Sequence, residues 1–444
     1  MPRSILLCIL PVFWPKMPPL GLACLQEYLI SKDISCDILD LNNLFYNLAD
    51  ARLKKEWLKS CNIALEREIL KIILRIFLKE FNLCLDKMLG YEVVGFSCFK
   101  SNFDSTQQVT RMLLDKSKNI KIVYGGPEIS RQYFKSTAIG KGIGIGREKQ
   151  DSEIATLADF LVVGEGEKPL YDYLKGENKN RVSRFNELHS LSGLNFPKYV
   201  GLKFDDYPAN DALSLQFSRG CVKRCSFCSE RLLYKGFRTR RVVSVIDELS
   251  YHKKASGIKN FIFFDSLING DLKKLEDLCQ GIISAFGKVN WEAQLAIRSD
   301  MPGGLLKKIK ESGCYHLFVG LESGSGRVLK MMNKGYSPKE AAQFLRKLKS
   351  AGLSYGVSMI VGYPGESQED FMEGLDFVLR NKSIIPKIEQ INPYTYYDGT
   401  SLDKQGDYKF NQESLEKMQY FVQKIREHGF KYTRAFLGNL IEKC

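Results

Sequence analysis

Short apolar runs alternate with amphipathic stretches over residues 1–185. Ser4–Leu10, Ser35–Leu41, Val93–Ser97, Lys121–Tyr124 and Phe160–Val163 read as strands, with helices at Leu20–Ile30 and Thr106–Lys116. Strand–helix alternation predicts an α/β class and a doubly wound, Rossmann-like first domain. Between Ala51 and Leu89 the positions Leu53, Trp57, Cys61, Leu65, Ile69, Ile72 and Ile76 form a stripe at helical spacing. Such a stripe fits core or a helical cap better than a membrane-surface helix. Residues 186–210 read as a linker. From 211 to 391 strands recur near 214–218, 260–265, 290–297, 315–321, 355–361 and 385–391. Helices such as Val245–Ala255, Leu305–Ser312 and Pro338–Ala351 fall between them. Parallel units in series predict a partial (β/α)6 barrel of TIM type, with chemistry at the carboxyl ends of its strands. Residues 392–444 are expected to be mostly helical, with one helix over Gln412–Glu427 and another after it.

A chain of 444 residues is long enough for two or three cores. Its 44% hydrophobic and 26% charged content is that of a globular protein, and no run approaches the roughly 18 apolar residues of a membrane span. Arg3 followed by Ile5 to Trp14 imitates a signal peptide, but Pro11 interrupts it, Lys16 follows, and a buried first strand is expected. The net charge of +14 raises nucleic acid as a partner. The lysines are spread along the chain without an interleaved aromatic stripe, so a solvated surface is expected instead. The twelve cysteines are scattered rather than arranged as a small disulfide framework, which implies reduced thiols in a cytoplasm.

Three of those cysteines stand apart. Cys221, Cys225 and Cys228 leave the end of the first barrel strand in C-x3-C-x2-C spacing. One loop can gather three thiolates on that spacing, and thiolates suit iron–sulfur clusters. Zinc would want a fourth Cys or His nearby, and the nearest histidines are His189 and His252. Three ligands on a four-iron cluster leave one iron open to bind another molecule.

This loop, with Phe227 before its last cysteine, resembles the signature of radical S-adenosylmethionine (SAM) enzymes. The resemblance implies a 4Fe–4S cluster on Cys221, Cys225 and Cys228. Its open iron would chelate SAM, whose reductive cleavage would give a 5′-deoxyadenosyl radical. It also implies an electron donor of flavodoxin or ferredoxin type and reducing conditions. Further strand ends follow the family. Glu322-Ser323-Gly324-Ser325 resembles the SAM-binding segment, with Glu322 on the ribose hydroxyls, although Ser323 or Ser325 could equally cap a helix. Ile360 and Val361 would lie along the adenine. Arg298 could pair with the methionine carboxylate or with Asp300. The Gly-Gly-Glu element that holds the amino group in many relatives is absent, so Asp265 or Ser266 would have to replace it. His316, Tyr394, Tyr396 and Tyr397 read mainly as packing residues.

The first domain carries a second resemblance. Pro18-Pro19-Leu20-Gly21, Asp40-Leu41-Asn42, Gly95-Phe96-Ser97, Gly125-Gly126-Pro127 and Gly164-Glu165-Gly166-Glu167 together resemble the cobalamin-binding domain of cobalamin-dependent radical SAM enzymes. Glycine turns at successive strand ends make a crevice at a topological switch point. There is no Asp-x-His-x-x-Gly motif, so the cobalt would lack that histidine, and Ser97 or a neighbouring loop would face its lower side. The combined resemblance implies a methyltransferase acting on an unactivated carbon of a small molecule or peptide. Cyclisation, rearrangement or oxidation with the same cofactors is an alternative. A methylthiotransferase is a further one, but it needs three N-terminal cysteines in a glycine-cysteine context that Cys8, Cys36 and Cys98 do not provide.

Overall fold

Residues 4–58, 63–138, 156–178, 180–184, 188–397, 399–400, 402 and 412–432 are described here from a computed structural model. The chain divides into two units, Met1–Asp211 with Leu232–Lys235, and Ala212–Arg231 with Gly236–Cys444.

In the first unit β1 (Ile5–Ile9) lies between β2 (Cys36–Asp40) and β3 (Val93–Ser97), and β4 (Lys121–Gly125), β5 (Phe160–Val163) and β6 (Val182–Arg184) follow outward. All neighbours are parallel. Buried on both faces, such strands must be apolar throughout, which is why they read as continuous runs. Leu6, Cys8, Val94, Phe96 and Tyr124 face one core. Ile5, Leu7, Ile9, Val93 and Val123 face the other, against α1 (Leu20–Ile30). The stripe between Ala51 and Leu89 is three helices rather than one. These are α3 (Ala51–Trp57), α4 (Ile63–Ile76) and α5 (Leu78–Leu89), which follow α2 (Leu41–Leu48). Trp57, Leu65, Ile69 and Ile73 are buried in the first core, as core packing requires, while Ile76 is exposed where α4 ends; Cys61 lies outside the described residues. The segment expected as a linker is fastened to this same unit. Tyr207 donates to Asp40 at 2.8 Å, Asn47 donates to the Asp206 carbonyl at 2.8 Å, and the Ala209 amide donates to the Lys16 carbonyl at 3.0 Å.

The second unit holds a seven-stranded parallel sheet in sequence order: β7 (Ala212–Leu215), β10 (Asn260–Phe263), β11 (Asn290–Leu295), β12 (Cys314–Glu322), β13 (Tyr355–Val361), β14 (Lys387–Pro393) and β15 (Lys431–Tyr432). Sequential order of parallel strands is the winding of a barrel. Phe261, Phe263, Trp291, Leu317 and Val357 are buried beneath the connecting helices. β8 (Ser218–Arg219) and β9 (Arg238–Thr239) form a small antiparallel pair that brackets the cysteine loop. The helix α15 spans Gln412–Glu427. The short strand β15 follows it where a further helix was expected, because its backbone completes the open edge of β14; residues 433–444 lie outside the described ones. No described helix is long and apolar enough to cross a membrane.

Candidate active site

The cysteine loop begins where the strand after β7 is pinned from beneath. Asp265, just past β10, is buried and accepts hydrogen bonds from the Phe217 amide (3.1 Å), the Ser218 amide and the Ser218 hydroxyl. Burial pushes its carboxyl up to about 6, against those hydrogen bonds. Both oxygens are therefore engaged in holding the root of the loop, not in presenting an acceptor for a bound amino group. Ser266 is likewise paired, donating to Glu230.

Cys221, Cys225 and Cys228 are half-buried, and burial raises all three thiols, Cys228 to about 12. Bonding to metal reverses that preference, since only a thiolate ligates. The Lys223 amide already donates to the Cys221 sulfur at 3.3 Å. Among the described residues no three His, Cys, Asp or Glu side chains converge as ligands of one ion would. Thiolates on a four-iron cluster each take a different iron and need no such convergence. The loop is fixed by Ser226, whose amide donates to the Met332 carbonyl and whose hydroxyl meets Tyr363 at 2.6 Å. Phe227 stands edge-on to Tyr363 and packs on an apolar cluster with Ile360, Tyr394 and Tyr396.

Lys334 is the residue that the sequence did not single out. It is almost wholly enclosed, its Nζ lies 3.3 Å from Glu322 Oε1 and 5.8 Å from the Phe227 ring centroid, and its charge lowers the Cys225 thiol against burial. Burial alone would discharge it; Tyr336 and the carboxylate of Glu322 hold it protonated. Ser358 donates to the other Glu322 oxygen at 3.1 Å. Glu322 itself has φ +66°, a left-handed conformation costly for a residue with a Cβ. The end of β12 is thus brought beside the cysteine loop and the end of β13.

Other expected residues fall differently. Ser325 caps α12 (Gly326–Met331) and donates to Asp370, while Ser323 accepts from the Ser325 amide, so the helix-cap reading holds for this pair. Arg298 grips Asp300 through two bonds, at 2.9 and 2.6 Å, and gives its remaining nitrogen to the Asn269 and Gly270 carbonyls. Its Nε, Nη1 and Nη2 all bond within the protein, the arrangement expected of the salt-bridge alternative. Val361 is buried and its carbonyl takes the Tyr394 amide. Gly362 turns at φ +69°, and a Cβ there would strike Ser414 of α15.

In the first unit, loops after successive strands are tied together on one edge. The Cys98 amide donates to the Gly125 carbonyl, the Glu128 amide to the Cys98 carbonyl, and the Gly164 amide to Ser130 Oγ at 3.0 Å. Gly126 has φ +102°, and a Cβ would come within 2.7 Å of the Cys98 carbonyl, so the Gly-Gly-Pro turn that precedes Pro127 and α7 (Pro127–Ala138) needs glycine there. Asn102 accepts from the Phe99 amide and donates to the Leu10 and Ser97 carbonyls. Pro19 precedes α1 as its N-cap, and Gly21 in the first turn of α1 faces open space in which a Cβ would meet nothing. Glu165 is buried, and Gly166 packs against Leu25. The turns after β3, β4 and β5 are thus tied into one rim at the carboxyl edge of the sheet, where open α/β sheets take their ligands. Cys8, Cys36 and Cys98 are core residues whose thiols burial keeps protonated.

The radical SAM superfamily pattern matches residues 215–378. Over those residues the chain carries a radical SAM domain. Over both units its fold is that of the radical SAM methyltransferase TsrM from Kitasatospora setae, solved with cobalamin and a 4Fe–4S cluster bound. The TM-score is 0.69 at 16% identity, covering 91% of this chain and 78% of that one. An uncharacterized methyltransferase of Pyrococcus horikoshii is 26% identical over 329 residues, 71% of this chain and 69% of that protein. The tRNA-2-methylthio-N(6)-dimethylallyladenosine synthase of Caldicellulosiruptor saccharolyticus is 25% identical over 237 residues, and the match spans about half of each chain.

Proposed function

We propose that this radical SAM enzyme binds a 4Fe–4S cluster, SAM and cobalamin and methylates an unactivated carbon. The observation that carries the reading is the meeting of the three-cysteine loop with Glu322, Lys334 and Ile360 at the carboxyl ends of the barrel strands. Cys221, Cys225 and Cys228 would hold the cluster, Glu322 the ribose, and the backbone at Ile360 and Val361 the adenine. The glycine rim of the first unit would hold cobalamin. Bound there, these groups supply one-electron cleavage of SAM and a transferable methyl group. The protein's part is to orient them: Asp265 and Ser226 fix the loop, and Lys334 fixes Glu322.

The test is an anaerobic preparation reconstituted with iron, sulfide and hydroxocobalamin. It should hold about four irons per chain, fall to near none in Cys225→Ala, and show base-off cobalamin. Incubated with SAM, a reductant and fractions of small molecules and peptides, it should yield 5′-deoxyadenosine and S-adenosylhomocysteine together. 5′-Deoxyadenosine without S-adenosylhomocysteine would select cyclisation or oxidation instead. About eight irons per chain would favour a methylthiotransferase, which the likeness to the tRNA enzyme keeps under test.

A further inference from the structure

The face of the second sheet turned away from the helices is not packed as a closed barrel interior is. Register fixes which residues share it. Gln294 pairs with Phe318, Phe318 with Gly356, and Ser358 with both Gly320 and Gln390. Phe264 continues the alignment of β10 with β11 one step past Phe263↔Ala293, and its amide still bonds to the Leu215 carbonyl. Exposure confirms the alternation: Phe263 is 1% exposed and Phe264 46%. One rung thus reads Phe264, Gln294, Phe318 across three adjacent strands, and Gly356 follows it, where the Glu389 side chain fills the space a Cβ would take. An exposed ring of this size on a concave face, next to an exposed amide, is unusual for a surface with no task.

The charges on this face point the same way. Its lysines already face carboxylates, Lys334 meeting Glu322 at 3.3 Å and Lys387 meeting Glu389 at 3.1 Å, and the His316 ring also bonds to Glu389 at 2.6 Å. Glu292, paired with His316 across the strands, adds a further acid. An anion entering here would find acids and engaged cations, and a buried charge without a partner is costly. An uncharged group with a flat apolar surface and an amide-like edge would find two rings and a glutamine.

We propose that the Phe264–Gln294–Phe318 rung is the specificity surface for the substrate, and that it takes an uncharged planar ring bearing a hydrogen-bonding edge while rejecting phosphorylated and other anionic molecules. This rests on the reading of the unit as a catalytic barrel, but its test does not require turnover. Benzamide and benzoate, matched in shape and different in charge, are compared by saturation-transfer NMR with the full chain. Benzamide should bind and benzoate should bind about tenfold more weakly or not at all. Phe264→Leu/Phe318→Leu, which keeps apolar volume, should weaken benzamide by about threefold or more while the thermal melt stays unchanged. Gln294→Ala should narrow the preference for benzamide over benzoate. Equal binding of the two probes, or unchanged benzamide binding in the leucine variant, overturns the proposal. Iron content and 5′-deoxyadenosine are measured on the same preparations. Benzamide binding without iron or 5′-deoxyadenosine removes the cofactor reading and keeps the rung; both products of the cofactor site without benzamide binding do the reverse.

Discussion

Glu322 and Lys334 are enclosed together, with side chains 13% and 11% exposed. Removing one partner from such a pair leaves the other charge without compensation, which costs more than the pair contributes. Lys334→Met should therefore lower the stability of the second unit by about 3 kcal/mol. Glu322→Gln with Lys334→Met should recover a large part of it, measured by urea unfolding as a double-mutant cycle. In the reconstituted enzyme the single variant should also weaken SAM binding by about tenfold, because the carboxylate loses the group that orients it. A double-variant loss equal to the sum of the separate Glu322→Gln and Lys334→Met losses would show that the two residues act separately. Arg298→Ala is the contrasting case: with its nitrogens turned to Asp300 and two carbonyls, SAM affinity should stay within about twofold of the wild type. These residues also mark where the sequence could be read and where it could not. Cysteines at fixed spacing announce a shared loop because their chemistry is local. Lys334 gave no such signal, since it returns to Glu322 after a helix and a turn, and an isolated lysine in a basic chain looks like surface. Asp265 and Arg298 were legible as strand-end polar residues, but whether such a group faces a ligand or its own backbone depends on packing that periodicity does not encode.

At the scale of elements, continuous apolar runs between Gly-rich turns located the parallel strands well, because both faces are buried and each residue contributes to one core or the other. Period alone could not show that the stripe from Ala51 to Leu89 breaks at Phe77, since α4 and α5 bury their apolar residues in the same core. Nor could it reveal β15, a two-residue strand defined by its neighbour rather than by its composition. The segment before the barrel read as a linker because its buried residues, Leu191, Tyr199 and Tyr207, follow no strand or helix period, and its hydrogen bonds to the first core are single and long-range. Asp40 anchors one of them. It caps α2 by accepting from the Asn43 amide and also accepts from Tyr207. Burial raises its carboxyl from 3.8 to about 6, over the lowering effect of both bonds. The unfolded chain then loses its proton first as pH rises. Between those two values the folded state holds more protons, so this contribution to stability is complete below about 4 and declines as pH rises to about 6. Asp40→Asn keeps the cap and removes the titration. Its unfolding midpoint should vary less than that of the wild type over this window, and an unchanged pH slope would assign the dependence to other groups.

Across the whole molecule the two candidate sites belong to separate cores, and each should respond to its own ligand. The rim of the first unit is built from loops joined through Cys98, Gly125, Ser130 and Gly164, the Cys98 amide donating to the Gly125 carbonyl and the Gly164 amide to Ser130 Oγ. A ligand that binds only the folded form of a loop suppresses its local opening in proportion to occupancy. Hydroxocobalamin added to the full chain should therefore slow amide exchange by about tenfold or more at 97–102, 125–130 and 164–167. It should leave the cysteine loop at 221–228 unaffected. Iron and sulfide followed by SAM should protect 221–228 and the strand ends at 322–325 and 360–363, where Ser226, Tyr363 and Glu322 converge. Protection of the first rim by cobalamin in a Cys225→Ala chain would separate the two sites cleanly, since no iron is needed for it. Protection by cobalamin confined to the second unit would contradict the glycine rim as its seat, whatever the iron content.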